Sequence, residues 1–198
     1  MKTLYNKVRA VKKLYYGLEK EISKFKEKTG LDCIKNCSAC CQKPDIEATV
    51  LEFLPLAYEM YRKGRALEMI KDMENLPDSS ICRIYAPIQT EVLEGGCSEY
   101  PERGLICRLF GFAHTRNKSG EKLLVTCRVI KTEFALQYAD AHAKLNSSLR
   151  SPGMNEFYMK LYNIDPNLAT KYYPINEAIR RALVYVEQYY SYRRKRAG

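Results

Sequence analysis

No stretch of this 198-residue chain approaches the roughly 20 consecutive apolar residues that a transmembrane helix requires. Its apolar runs are only a few residues long, so no membrane span is expected. The opening Met1-Lys2-Thr3-Leu4-Tyr5-Asn6-Lys7 lacks the apolar stretch of a secretory signal, and the expected location is cytoplasmic. Histidine is scarce, with two residues, and no Cys2His2 zinc-finger spacing or RNA-recognition signature is present. Internal repeats, long linkers and low-complexity tracts are also missing. With 46% hydrophobic and 28% charged residues, the composition excludes a disordered or collagen-like chain.

Against these absences stand eight cysteines: Cys33, Cys37, Cys40, Cys41, Cys82, Cys97, Cys107 and Cys127. In a reducing compartment such a set points to metal ligands or redox thiols rather than disulfides. All eight lie between positions 33 and 127, and neither flank has any. The length suits a single domain over residues 1–198. It reads as an amphipathic helical arm (1–30), a cysteine-cluster core (31–130) and C-terminal helices (131–198).

The arm carries Leu4, Val8, Val11, Tyr15, Leu18, Ile22 and Phe25 at alternating steps of four and three, one apolar stripe on a helix. Thr29-Gly30 is expected to end it, since glycine suits the position just past a helix. Lys7, Lys12, Lys13, Lys20, Lys24 and Lys28 fall mostly off the stripe, on a face expected to be solvated. Pro44-Asp45 is expected to open a helix reaching about Tyr61, and a second helix covers 65–74. Residues 75–111 read as irregular. Residues 112–130 form a hairpin turning at Asn117-Lys118-Ser119-Gly120, with Leu123-Leu124-Val125-Thr126 returning. Further helices are marked by Phe134, Tyr138, Ala141, Leu145 and Leu149, by residues 155–162, and by Ile175, Ile179, Ala182, Leu183, Val186 and Tyr190. The fold class is therefore mainly α, with helices around an irregular cysteine-rich metal-binding centre and one small β-hairpin. Such a centre has few apolar residues to hold it, and metal–thiolate bonds would take that role.

Cys33-x3-Cys37-x2-Cys40-Cys41 places four thiols within nine residues, and its x2 spacing lets two sulfurs grip one metal from a tight turn. A second part follows with Cys82, Cys97, Cys107 and finally Cys127. Soft thiolates select zinc, copper(I) or iron–sulfur clusters over magnesium or calcium. The spacing of Cys33, Cys37 and Cys40 also matches the radical-SAM cluster motif, but a long helix precedes it here and no alternating βα pattern follows.

The two-part pattern resembles the YkgJ-like cysteine-cluster family, described as a zinc- or iron-chelating domain. Its signature is Cys-x2-Cys-Cys followed later by Cys-x2-Tyr-x2-Arg-Pro-x2-Cys-Arg. Cys37, Cys40 and Cys41 match the first part; Cys97, Tyr100, Arg103, Cys107 and Arg108 match the second. Leu109-Phe110-Gly111-Phe112 resembles the apolar stretch that follows, and Glu52 aligns loosely with an acidic residue after the first cysteine group. Departures are Ser38 where many relatives have glycine, Gly104 where proline usually follows the arginine, and a Cys82 without a proline-containing context. The resemblance implies metal binding, as an iron–sulfur cluster or zinc, with Cys33 and Cys82 fitting the family's further cysteines; all eight, Cys127 included, are expected as ligands. It implies no agreed reaction; the flagellin lysine methylases carry a similar cysteine group, which leaves a cluster-dependent methyltransferase as one alternative. Arg103 and Arg108 are suited to offset thiolate charge, because four thiolates on one zinc leave −2. His114, seven positions after Cys107, is a further ligand candidate.

The formal net charge is +10, and residues 1–28 hold nine Lys/Arg against three Glu. The Arg193-Arg194-Lys195-Arg196 end is densely basic, and several of the sixteen tyrosines adjoin basic residues. Basic, aromatic surfaces bind RNA or single strands by phosphate contact and stacking. The leading expectation is a cysteine-cluster metalloprotein in electron transfer or metal handling. The alternative is a zinc-stabilised binding module for nucleic acid or a protein partner.

Overall fold

The computed structural model describes residues 3–34, 37–77, 80–86 and 96–196; part of the expected irregular stretch, residues 78–79 and 87–95, lies outside this range. About 58% of the described residues are helical, 3-10 turns included, with nine α-helices among them.

Helix α1 (Leu4–Thr29) buries the whole predicted stripe, Leu4, Val8, Val11, Tyr15, Leu18, Ile22 and Phe25, each at most 4% exposed. Thr3 caps its start by accepting the Asn6 N–H, and Gly30 closes it at φ 69°, a left-handed conformation that glycine adopts without a Cβ penalty. The expectation of a solvated lysine face needs correction at two positions. Lys7 is buried, pairing with Asp165 and donating to the Tyr185 hydroxyl, and Lys12 reaches Glu59 and Glu102. A long aliphatic stem lets lysine cross the edge of an apolar stripe and place its ammonium against a carboxylate.

The single helix expected from residue 44 is three elements. Glu47–Thr49 is strand β1, Val50–Phe53 a 3-10 turn, and Leu54–Arg62 helix α2 with Pro55 in its first turn. Strand β1 pairs antiparallel with β6 (Tyr172–Pro174), a partner more than 120 residues away that no local pattern could reveal. Helix α3 (Ala66–Met73) falls within the expected span. Strands β2 (Tyr85–Ala86) and β3 (Gly96–Cys97) pair antiparallel, and helix α4 (Leu105–Leu109) closes the irregular region. The predicted hairpin is β4 (Ala113–Arg116) with β5 (Lys122–Val125); Asn117 closes its turn by accepting the Ser119 and Glu121 N–H groups. The hairpin is thus joined by two further two-stranded pairings.

The helix expected from Phe134 to Leu149 is α6 (Ala135–Lys144), which is capped at Leu145, and an additional helix, α5 (Arg128–Glu133), begins within the span expected as hairpin. Helices α7 (Met154–Tyr162) and α8 (Pro166–Ala169) precede α9 (Ile175–Arg196). One continuous apolar cluster runs through the molecule. Helix α2 packs between α1 and α9, and α9 also covers α3. This framework supports the cysteine segments at its edge. No helix among the described residues is long and apolar enough to cross a membrane.

Candidate metal centre

Four of the cysteines sit on the loop that follows α1. Leu31 is fully buried and anchors its start. Beyond it the chain turns on itself: Asp32 accepts the Cys33 N–H, the Cys37 N–H reaches the Ile34 carbonyl, and the Cys41 N–H reaches the Ser38 carbonyl. Cys33 is exposed; Cys37, Cys40 and Cys41 are half-buried.

The other four come from the framework. Cys82 is buried in a turn gripped by Asn176, near the start of α9. The Asn176 side chain accepts the Arg83 N–H at 2.8 Å and donates to the Ser80 and Ile81 carbonyls at 3.3 and 2.9 Å. Cys97 lies on β3 opposite Tyr85. Cys107 rides on α4, whose first turn is held by Glu52: the Ile106 N–H donates to Glu52 Oε2 at 2.8 Å. Cys127 stands at the N-terminus of α5, where its sulfur accepts the Ile130 N–H at 3.4 Å.

The thiols that neighbour Cys33, Cys40, Cys41, Cys82 and Cys107 fall mostly into two sets, with Cys41 adjoining both. Burial pushes Cys40 up to about 12, and Cys127, Cys33, Cys41 and Cys37 add to the shift. Cys33 is raised by burial and then by Cys127 and Cys37. Cys107 is raised well above its ordinary value by dense packing around its sulfur, then by Cys82, Glu52, Cys41 and Cys97. Cys82 is pushed up to about 12 by burial and then by Cys41 and Cys97; Cys41 reaches about 11 by burial, then Cys97. We read Cys33, Cys37, Cys40 and Cys127 as one set and Cys41, Cys82, Cys97 and Cys107 as the other. Cys40 and Cys41 also feel each other, and Cys41 feels Cys37, as neighbours in one tight turn must. The backbone supports the second group: the Cys82 N–H donates to the Cys41 carbonyl at 3.3 Å.

These surroundings suit thiolates bound to a cation. Without one, crowded thiols keep their protons; a bound metal reverses that preference and releases them. The backbone N–H groups of Ile84 and Tyr85 favour the Cys82 thiolate, and that of Glu99 the Cys97 thiolate. Arg103 and Arg108 lie nearly buried beside the second group and lower the Cys97 thiol, and Arg103 also lowers Cys41. Arg103 stacks on Tyr100 at 3.9 Å, and its Nε is buried with no hydrogen-bond partner, a donor left for a sulfur acceptor. Arg108 donates through Nε to the Arg103 carbonyl and through Nη2 to the Pro101 carbonyl, and stacks on Tyr15 at 4.5 Å. Glu19 of α1 bridges both guanidiniums. Among the described residues, no three Cys, His, Asp or Glu side chains stand at the mutual spacing of ligands on a single ion.

His114 is not part of either group. It is buried on β4 with Nδ1 against the Ser151 hydroxyl at 2.8 Å, and burial, then Lys122 and Arg116, lower its pKa. Tyr100 is exposed rather than core.

A family model described as "CxxCxxCC: Putative zinc- or iron-chelating domain" matches residues 32–128, the segment that carries all eight thiols. That segment, just under half of the chain, is similar to the CxxCxxCC family. Comparison with curated proteins and with solved structures gave no match. The matched segment begins with a three-residue gap between Cys33 and Cys37 where the motif name has two. Its Gly104, in place of the usual proline, has a local reason. A Cβ built at Gly104 would lie 2.7 Å from the Phe53 ring, so the ring occupies the space a side chain would need. The sequence pattern singled out the cysteines, the arginine pair and Glu52. It offered no signal for Asn176 or Glu19, which lie outside the matched segment and act on it only through the fold.

Proposed function

We propose that the chain is an iron–sulfur protein in which Cys33, Cys37, Cys40 and Cys127 hold one cluster and Cys41, Cys82, Cys97 and Cys107 another, serving electron transfer to a protein partner. The observation that supports this reading is eight free cysteines whose thiols neighbour one another, with the Cys82 N–H bonded to the Cys41 carbonyl; the ionisable side chains felt by Cys40, Cys82 and Cys107 are other thiols and Glu52. Cysteine-only donor sets suit iron–sulfur clusters and zinc. A single zinc requires sulfurs about 3.8 Å apart, from a Zn–S bond of about 2.3 Å in a tetrahedron. A cluster spreads its thiolates over separate irons and needs them wider. When bound, a cluster would supply one-electron chemistry. The protein's part is to hold the thiolates, offset their charge with Arg103 and Arg108, and restrict water.

The test is metal and acid-labile sulfide content, with a visible spectrum, on protein purified without oxygen. Iron with matching sulfide and brown colour is the expected result. Zinc without sulfide moves the reading to a structural centre and a binding module, and neither metal overturns it.

A second reading has its own observation. At one end of the bundle Tyr5, Tyr58, Tyr61, Tyr189 and Tyr190 form a chain of ring contacts, with Arg9 over Tyr5 and Arg193 over Tyr189. The basic end of α9 continues beyond them, its side chains from residue 194 outside the description. This surface suits a polyanion such as single-stranded nucleic acid. Salt-dependent retention on heparin tests it.

A further inference from the structure

We infer that the two thiol groups are unequal: the one formed by Cys41, Cys82, Cys97 and Cys107 is built into the fold. The one formed by Cys33, Cys37, Cys40 and Cys127 is loop-borne, and its metal or cluster exchanges while the protein stays folded. The inference rests on the two-group reading proposed above and concerns which group a chelator or partner reaches first.

The long-range clamps carry the argument. Asn176 grips the turn containing Cys82 from α9 with three hydrogen bonds. Glu52, itself fully buried, holds the first turn of α4 and so places Cys107. Arg108 holds the carbonyls of Pro101 and Arg103, fixing the segment between Cys97 and Cys107, and Glu19 ties that arginine to α1. Strand pairing of β2 with β3 sets Cys97. Every clamp ends on the second group.

The loop from Asp32 to Cys40 is held differently. Its hydrogen bonds among the described residues are local: Lys26 to Asp32, Asp32 to the Cys33 N–H, Ile34 to the Cys37 N–H, Ser38 to the Cys41 N–H and Gln42. The long-range backbone bond that leaves this loop is made by the Cys41 carbonyl to Cys82, and Cys41 belongs to the other group. Cys82 is part of the apolar core, and Cys97, Cys107 and Cys127 pack against it; Cys33, Cys37, Cys40 and Cys41 do not. The first group therefore has three ligands on a locally bonded loop and one, Cys127, on the framework. The second has three on the framework and one tethered to it. Guanidinium compensation is equally one-sided. Arg103 and Arg108 face the second group, whereas the cation felt by Cys33 is Lys26, already engaged by Asp32. Local unfolding of a segment with few long-range bonds needs far less free energy than opening the core.

The experiment treats anaerobically purified full-length protein with EDTA and a reductant. Released metal is followed over time, iodoacetamide labelling maps each cysteine by mass spectrometry, and far-UV circular dichroism reports the fold. The expected result is two phases of about equal metal. In the first, Cys33, Cys37, Cys40 and Cys127 become labelled together while Cys41, Cys82, Cys97 and Cys107 remain protected and helicity is unchanged. The adjacent pair makes the assay sharp, since Cys40 is labelled at least tenfold faster than its neighbour Cys41. Cys40→Ser should abolish the first phase and leave the second. Two equivalents leaving in a single phase, with all eight thiols labelled at one rate, overturns the inequality but not the two-group reading. A starting content of one equivalent, or labelling that divides the cysteines differently, overturns both.

Discussion

Glu52 joins its own turn to α4 through a buried carboxylate and to α1 through its backbone carbonyl. Its Oε1 accepts the Thr49 N–H and hydroxyl, its Oε2 accepts the Ile106 N–H, and its own carbonyl accepts the Tyr15 hydroxyl at 2.6 Å. The Tyr158 hydroxyl is electrostatically coupled to it without well-formed hydrogen-bond geometry. Burial outweighs these donors and raises its pKa to about 7 from the ordinary 4.5. A raised carboxyl pKa means the folded protein binds that proton more tightly than the unfolded chain. Its stabilising share is full below pH 4.5 and is lost as pH rises to about 7. Wild type should therefore gain on Glu52→Gln as pH falls through this window, by about 3 kcal/mol at roughly 1.4 kcal/mol per unit. Urea unfolding of both proteins at several pH values measures the difference, and the comparison cancels the common effect of acid on the thiols. A second prediction at this scale concerns Arg108. Arg108→Lys keeps the charge but cannot donate to the Pro101 and Arg103 carbonyls and Glu19 at once. A loss of about 2–3 kcal/mol is expected, with faster proteolysis near residues 100–104.

The short helix α4 shows how an element can be fixed by one close contact. Five residues do not form a stable helix alone. It exists because Glu52 satisfies its first turn, Leu105 and Leu109 are fully buried, and Gly104 lets the chain pass against the Phe53 ring. Gly104→Ala drives a methyl into that ring and should destabilise the protein by about 1–3 kcal/mol, the usual cost of overpacking. Trimming the ring should reverse much of it, so Phe53→Leu and Gly104→Ala together should be less harmful than the two effects added. Thermal unfolding of the two single variants and the double variant measures this coupling. Additive losses would mean that Gly104 matters for another reason.

Across the whole molecule, two kinds of structure share one chain. The bundle of α1, α2, α3 and α9 is held by apolar burial that continues without a metal. The cysteine segments are held by a few polar clamps and, in the proposed loaded state, by thiolate bonds. Complete metal removal should therefore leave most helicity intact while raising hydrogen exchange at residues 31–43 and 80–109, with α1 and α9 protected. Global unfolding on removal would show instead that metal binding and folding of the whole chain are one transition.

How much of this was legible differs by element. The α1 stripe, its glycine end and the β4–β5 turn were readable because their causes are local: a helical period, a left-handed glycine and an asparagine turn. The β1–β6 pairing and the 3-10 turn replacing an expected helix were not. Residues 47–53 have apolar content compatible with either state, and the pairing partner lies at 172–174. The sequence by itself determined that thiol chemistry lies within residues 33–127, since no other donor is dense enough and the spacing is local. Only the tertiary structure decided which thiols are neighbours. In the proposed arrangement adjacent Cys40 and Cys41 serve different groups, Cys127 enters from the start of α5, and Cys82 is placed by the Asn176 clamp. Those are contacts between segments far apart along the chain, on which spacing carries no information.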